Sequence, residues 1–282
     1  MEKKYKVLTN DTINHNGKKL YRIQAIKNIA DRVKEGELGG YIEKESNLSQ
    51  DGLCWLYNNS KVYDDAIVSG DCYIYDECEI YGNALVYGDV ILSDNTKVYD
   101  TAKVYGYVNL YDSVQIYGDS KVYDNVYIYG TTQVYGSATV KDNVRIYNDV
   151  QIYDNAIVSE NVIIMSNVKV YTNARVNGKA QILDNAQIYG NAYITDSVKV
   201  YNNAQVYGNA TISDNVSIHN NAQVYGNATI SNNANIYGDA KIYGNAKVSG
   251  YSSLSGNVEA YGSVKISKNS YHNNELLIIG NK

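Results

Sequence analysis

The 282-residue chain contains no proline and no phenylalanine, one tryptophan, two methionines, three cysteines and three histidines. Without proline, every residue keeps its amide donor, so a hydrogen-bonded ladder can run through the chain without a gap. Without phenylalanine, the core is left to Val, Ile and Ala, which suits a narrow interior. The net charge of −5 combines 25 basic and 30 acidic residues with the two signs interspersed. That balance argues against nucleic acid or an acidic membrane surface as partner. No apolar run approaches the roughly 20 residues of a membrane span. The opening residues Met1, Glu2, Lys3, Lys4, Tyr5 and Lys6 lack the apolar stretch of a secretory signal, so the expected location is the cytoplasm. Three histidines, His15, His219 and His272, are too few and too scattered for a zinc centre, and no cofactor-binding motif is present.

What is present is a six-residue phrase that repeats without insertion or deletion from residue 56 to residue 270. Stepping by six from Leu56 to Ile266 meets 36 positions, of which 35 are Val, Ile or Leu and one is Ala260. Four residues after each of them, all 36 positions carry Ala, Val, Ser, Thr or Cys. In Ala204-Gln205-Val206-Tyr207 the pattern is that of a short strand, with Ala204 and Val206 inward and Gln205 and Tyr207 outward. The pair that follows, Gly208-Asn209, belongs to a class of corner residues rich in Gly, Asp and Asn, which tolerate positive φ. A chain that turns every sixth residue must coil.

A second period sets the size of the coil. The residue after the aliphatic is Tyr in 22 of 36 phrases, and one series with a step of 18 is invariant. It comprises Tyr63, Tyr81, Tyr99, Tyr117, Tyr135, Tyr153, Tyr171, Tyr189, Tyr207, Tyr225, Tyr243 and Tyr261. A sister series reads Ser69, Tyr87, Tyr105 and Tyr123, then Lys141, Ser159, Asn177, Thr195, Ser213, Ser231, Ser249 and Ser267. Three phrases therefore make a turn of 18 residues with three distinct faces. The expected fold is all-β, a parallel β-helix of triangular section with about 12 such turns.

Three segments are expected. Residues 1–40 form a β-hairpin cap, with strands at 5–8 and 20–26, an Asn16-Gly17 turn, and a short helix or turn over 27–37 closed by Gly39-Gly40. Residues 41–270 form the β-helix, with two extra residues around Asp51-Gly52 because Leu48 and Leu56 stand eight apart. Residues 271–282 form a C-terminal capping strand rich in Leu and Ile. Trp55 is expected to plug the seam between cap and helix. Cys54, Cys72 and Cys78 all occupy the small inward position; a Cys54–Cys72 disulfide is conceivable one turn apart, but buried thiols are the preferred reading.

The phrase resembles the hexapeptide repeat of left-handed β-helix proteins. Residues 33–42, VKEGELGGYI, and 47–57, NLSQDGLCWLY, resemble the opening segment of the YdcK-like hexapeptide-repeat proteins of bacteria and their phages. The resemblance covers nearly the whole chain. It implies left-handed coiling, against the usual right-handed crossover of parallel strands. It also brings an acyltransferase label that rests on fold analogy.

Acyltransferases of this fold need a catalytic histidine and a protruding loop that walls the site, and are usually trimers. Only His219 lies on the β-helix, and no loop interrupts residues 56–270, so His219 is a weak catalytic candidate. Thr211-Ile212-Ser213 and Thr229-Ile230-Ser231 resemble ice-binding ranks but are too few. The tyrosine series is the candidate binding surface. Beside it runs the row Lys61, Glu79, Lys97, Gln115, Gln133, Gln151, Lys169, Gln187, Gln205, Gln223, Lys241 and Glu259. The expected function is a non-enzymatic rigid scaffold whose tyrosine face contacts protein, a second copy included, or glycan. The alternative is an acyltransferase-like enzyme, degenerate or completed at subunit interfaces.

Overall fold

The computed structural model describes residues 3–273 and 277–279, and the chain forms two compact units, Met1–Ser137 and Ala138–Lys282. Both contain a parallel β-solenoid in which, from Trp55 on, each strand pairs with strands one turn of 18 residues away. In the first unit Lys97 pairs with Glu79 and Gln115. In the second, Gln205 pairs with Gln187 and Gln223. The ladder bonds are well formed, as between Tyr207 N and Val224 O at 2.9 Å. The inward and outward faces follow the sequence period: Ala204 and Val206 have no exposed surface, whereas Gln205 and Tyr207 are half-buried.

The corners explain why this sequence coils. Every sixth residue from 58 to 268 has positive φ, whether Gly208 at 70°, Asp214 at 66° or Asn220 at 60°. Glycine takes this region freely and Asp and Asn tolerate it, which accounts for the corner composition. At Gly208 the turns also lie too close for a side chain, since a Cβ there would stand 2.8 Å from Gly226 N. Where the corner is acidic, the carboxylate caps the next turn: Asn232 N donates to Asp214 Oδ2 at 2.8 Å. Three strands of the first unit, Leu85–Leu92, Lys103–Leu110 and Lys121–Ile128, carry their pairing straight through the corner.

The first unit opens with an antiparallel hairpin, β1 (Tyr5–His15) and β2 (Lys18–Ala25), turning at Asn16-Gly17. Both turn residues have positive φ, as this tight turn demands. β2 pairs antiparallel with β3 (Leu38–Ile42), and β3 pairs parallel with Lys61–Val62. Residues 27–37 make a turn closed by an Ile29–Val33 bridge, not a helix. Gly39 and Gly40 lie inside β3 rather than in a closing loop. A Cβ on Gly40 would stand 2.4 Å from Ser60 O, so glycine lets β3 sit directly against the first turn.

The two extra residues are visible in the register. Tyr41 pairs with Lys61 and Leu48 with Val68, both 20 apart, whereas Trp55 pairs with Tyr73, 18 apart. The surplus therefore falls in the loop 49–53. Trp55 is fully buried with its ring 6.5 Å from that of Tyr5, edge on, so it does fill the seam beneath the hairpin. In the second unit, Tyr271–Asn273 pairs with Ser253–Ser255 and Leu277–Ile279 with Glu259–Tyr261. The remainder of the expected closing strand lies outside the described residues.

Candidate functional site: the tyrosine face

Because turns superpose in register, a side chain recurring every 18 residues must stack on its own copies. In the first unit Tyr63, Tyr81, Tyr99, Tyr117 and Tyr135 stack with ring centroids 4.8–5.0 Å apart and planes within 3°. In the second, Tyr153, Tyr171, Tyr189, Tyr207, Tyr225, Tyr243 and Tyr261 stack at 4.7–5.1 Å and within 8°. This geometry decides what the face can offer. Each ring face is covered by the next ring, so the file presents ring edges and hydroxyls.

The hydroxyls are tied to the neighbouring row. Tyr99 donates to Gln115 Oε1 and Tyr189 to Gln205 Oε1, both at 3.4 Å, and Tyr243 donates to Glu259 Oε2 at 3.2 Å. Burial, with the adjacent phenols next, pushes Tyr99 and Tyr189 up to about 12. Burial and the Glu259 carboxylate push Tyr243 up to about 12. These three phenols are therefore neutral at physiological pH. The neighbouring row carries ion pairs, Lys97–Glu79 at 3.2 Å and Lys241–Glu259 at 3.6 Å.

Tyr63 differs from the other eleven tyrosines. It is 3% exposed and packs with Leu20 and Tyr41, with Ile13 and Tyr81 against them. His15 stands edge-on to its ring at 5.5 Å and Asn16 Nδ2 donates to its hydroxyl at 3.3 Å. The hairpin thus covers the first ring, and the accessible file begins at Tyr81.

His219 occupies an outward ladder position. It stacks between Tyr201 at 4.6 Å and Tyr237 at 5.1 Å, parallel to both within 5°. Its Nδ1 lies 2.9 Å from Asn220 Oδ1 and its Nε2 3.2 Å from Asn235 Oδ1. It fills a tyrosine's place in a stack, with amides rather than a carboxylate as its partners. His15 instead meets Glu79, and His272 lies on the strand Tyr271–Asn273. Among the described residues no group of three or more His, Cys, Asp and Glu is placed to hold a metal, and no helix is long and apolar enough to cross a membrane. Cys54, Cys72 and Cys78 are free and buried.

Two corner features escape a reading based on strand period. Asn155, Asn173, Asn191, Asn209, Asn227 and Asn245 form an amide ladder, each Nδ2 donating to the next Oδ1 at 2.9–3.1 Å. A parallel ladder, Asn167, Asn185, Asn203 and Asn221, ends on Asp239 and borders an open polar groove of about 630 Å³. The signal was present as asparagine recurring every 18 residues at the second corner position.

The YdcK β-solenoid repeat is matched at residues 80–94, 150–165, 186–202, 204–220 and 222–238. A search of curated proteins finds no match. The repeat matches and the 18-residue turn agree, and the chain is a YdcK-type β-solenoid with a stacked tyrosine ladder.

Proposed function

We propose that this protein is a non-enzymatic rigid scaffold that offers its tyrosine face to another protein surface, most simply a second copy of itself. One observation carries the reading. In the second unit the invariant face holds tyrosine at every turn, while the sister series has Ser159, Asn177, Thr195, Ser213, Ser231 and Ser249 on equally regular ladders. Backbone stacking therefore does not require tyrosine, and its retention on one face needs another cause.

The exposed chemistry favours a protein partner. Ring edges, hydroxyls and amides, with Lys97–Glu79 and Lys241–Glu259 joined as ion pairs in the flanking row, suit a protein contact. A glycan stacking on ring faces would find those faces already covered within the file. Left-handed coiling and a cytoplasmic location belong to the same reading. The location is supported by three free thiols, two of them, Cys54 and Cys72, one turn apart and unlinked. The direct test is the oligomeric state of the wild type beside a variant with Tyr171, Tyr189, Tyr207 and Tyr225 all replaced by Ser.

A further inference from the structure

The N-terminal hairpin brings a lysine to a cysteine inside the first unit. Lys4 is 2% exposed and Cys54 fully buried, with Lys4 Nζ 3.1 Å from Cys54 Sγ. The same nitrogen lies 3.1 Å from Asp51 O and 3.1 Å from Gly52 O. Three donors thus meet three acceptors, and none of the acceptors is a carboxylate. A buried ammonium is normally paired with an anion, because desolvation is costly. Here the third acceptor is a thiol sulfur, a weak one, where a hydroxyl or carbonyl oxygen would bind better.

The site is a product of the irregular loop. The two residues that break the hexad between Leu48 and Leu56 supply the Asp51 and Gly52 carbonyls that hold the lysine. Gln50 Oε1 accepts from the Lys4 backbone N–H at 2.9 Å and fixes the strand beside it. A cleft of about 300 Å³ lined by Lys4, Gln50, Asp51, Gly52 and Leu53, among others, opens on the lysine side of the pair. The other two cysteines lack such a neighbour. Cys72 Sγ meets Ser69 O at 3.0 Å and Gly88 O at 3.5 Å, and Cys78 Sγ meets Asp94 O at 3.8 Å.

We infer that Lys4 and Cys54 are an oxidation-dependent covalent cross-link site, closed by a peroxide and opened by a thiol. In the first step the Cys54 sulfur attacks a peroxide oxygen. The O–O bond breaks, and the products are a sulfenic acid and water. Lys4 then gives one proton to solvent, and its free amine attacks the sulfur. An N–S bond forms as the S–O bond breaks, and the hydroxyl leaves as water with a second amine proton. Sulfur has lost two electrons and the peroxide has become two waters. The same condensation with backbone nitrogen is a known fate of sulfenic acids. The bond would tie the residue before β1 to the residue after the loop 49–53 and lock the hairpin over the first turn.

The test is intact-mass and peptide analysis of the full chain after exposure to hydrogen peroxide. The cross-link predicts a loss of about 2 Da and a joined peptide carrying Lys4 and Cys54, both reversed by dithiothreitol. Lys4→Arg keeps the cation but should instead stop at Cys54 oxygen adducts of about 16 and 32 Da. Two results would overturn the inference. One is Cys54 left intact while Met165 oxidises, and the other is the same oxygen adducts on wild type and Lys4→Arg. The wild-type peptide map decides the matter even if Lys4→Arg fails to fold.

Discussion

His15 Nε2 lies 2.9 Å from Glu79 Oε2, joining the tip of the hairpin to the row that flanks the tyrosine file. Glu79 also accepts from the Tyr63 hydroxyl at 2.9 Å and pairs with Lys97. One carboxylate thus links the hairpin, the first covered ring and the open face beyond it.

This contact should make hairpin docking acid-sensitive. Burial pushes the Glu79 carboxyl up, but hydrogen bonds from His15 and Tyr63 and the Lys97 charge hold it below the usual glutamate range. A carboxyl depressed by folding stabilises above its unfolded pKa of about 4.3, and that stability is lost as pH falls through the folded value. Trp55, the single tryptophan, sits under the hairpin and reports on it. Its emission should shift as the pH drops below about 4.3, and Glu79→Gln should flatten the shift. Identical acid profiles for the two proteins would show that Glu79 does not hold the hairpin.

The fold was legible because it is periodic. The inward positions, the turn of 18 and the corner residues all recur, so one phrase such as Gln205-Val206-Tyr207-Gly208-Asn209-Ala210 contains the rule for the rest. The burial of Tyr63 was not legible. It depends on Asn16 and His15, which lie 47 and 64 residues from their partners Tyr63 and Glu79 and belong to no repeat. The same is true of Lys4 and Cys54, 50 apart. The Asp214 carboxylate capping Asn232 does follow the period, but its bond depends on the corner backbone, which a hydrophobic pattern does not describe. Handedness leaves no trace in a linear period and came only from resemblance.

Thr172 breaks the corner rule. Its φ is 63°, a region costly for a β-branched residue, although its N–H still reaches Asp154 Oδ2 at 3.2 Å. Thr172→Gly relieves the strain and keeps the donor, so it should stabilise the second unit by about 1 kcal/mol. The midpoint of urea unfolding measures this. A lower midpoint would mean that the Thr172 side chain contributes more than its backbone costs.

Tyr99, Tyr189 and Tyr243 should titrate late. Phenols raised by folding stabilise fully below their unfolded pKa of about 10. For Tyr99, Tyr189 and Tyr243 that stability is lost as pH rises through about 12. An absorbance titration of the native protein should show a late class whose ionisation coincides with loss of β-sheet. A single class near 10 in the folded protein would mean that the hydroxyls are not held as described.

If His219 is a rung of an aromatic stack, His219→Tyr should fold and melt at or above the wild-type temperature. If it is a general base, the same change should lower acyl transfer from an acyl-CoA donor by a factor of about 100. We expect the first result and no turnover in the wild type. Turnover that disappears with His219 would establish the enzyme instead.

Sedimentation velocity tests the role of the tyrosine face most directly, comparing the wild type with Tyr171→Ser, Tyr189→Ser, Tyr207→Ser and Tyr225→Ser combined. The second unit already carries serine at Ser213, Ser231 and Ser249 on regular ladders, so the variant should keep its β-sheet circular dichroism. Lost cross-strand contacts should cost about 0.2–1 kcal/mol per pair. The wild type is predicted to sediment as an oligomer and the folded variant as a monomer. A folded variant with the wild-type oligomeric state, or a variant that unfolds outright, would contradict the face as a binding surface.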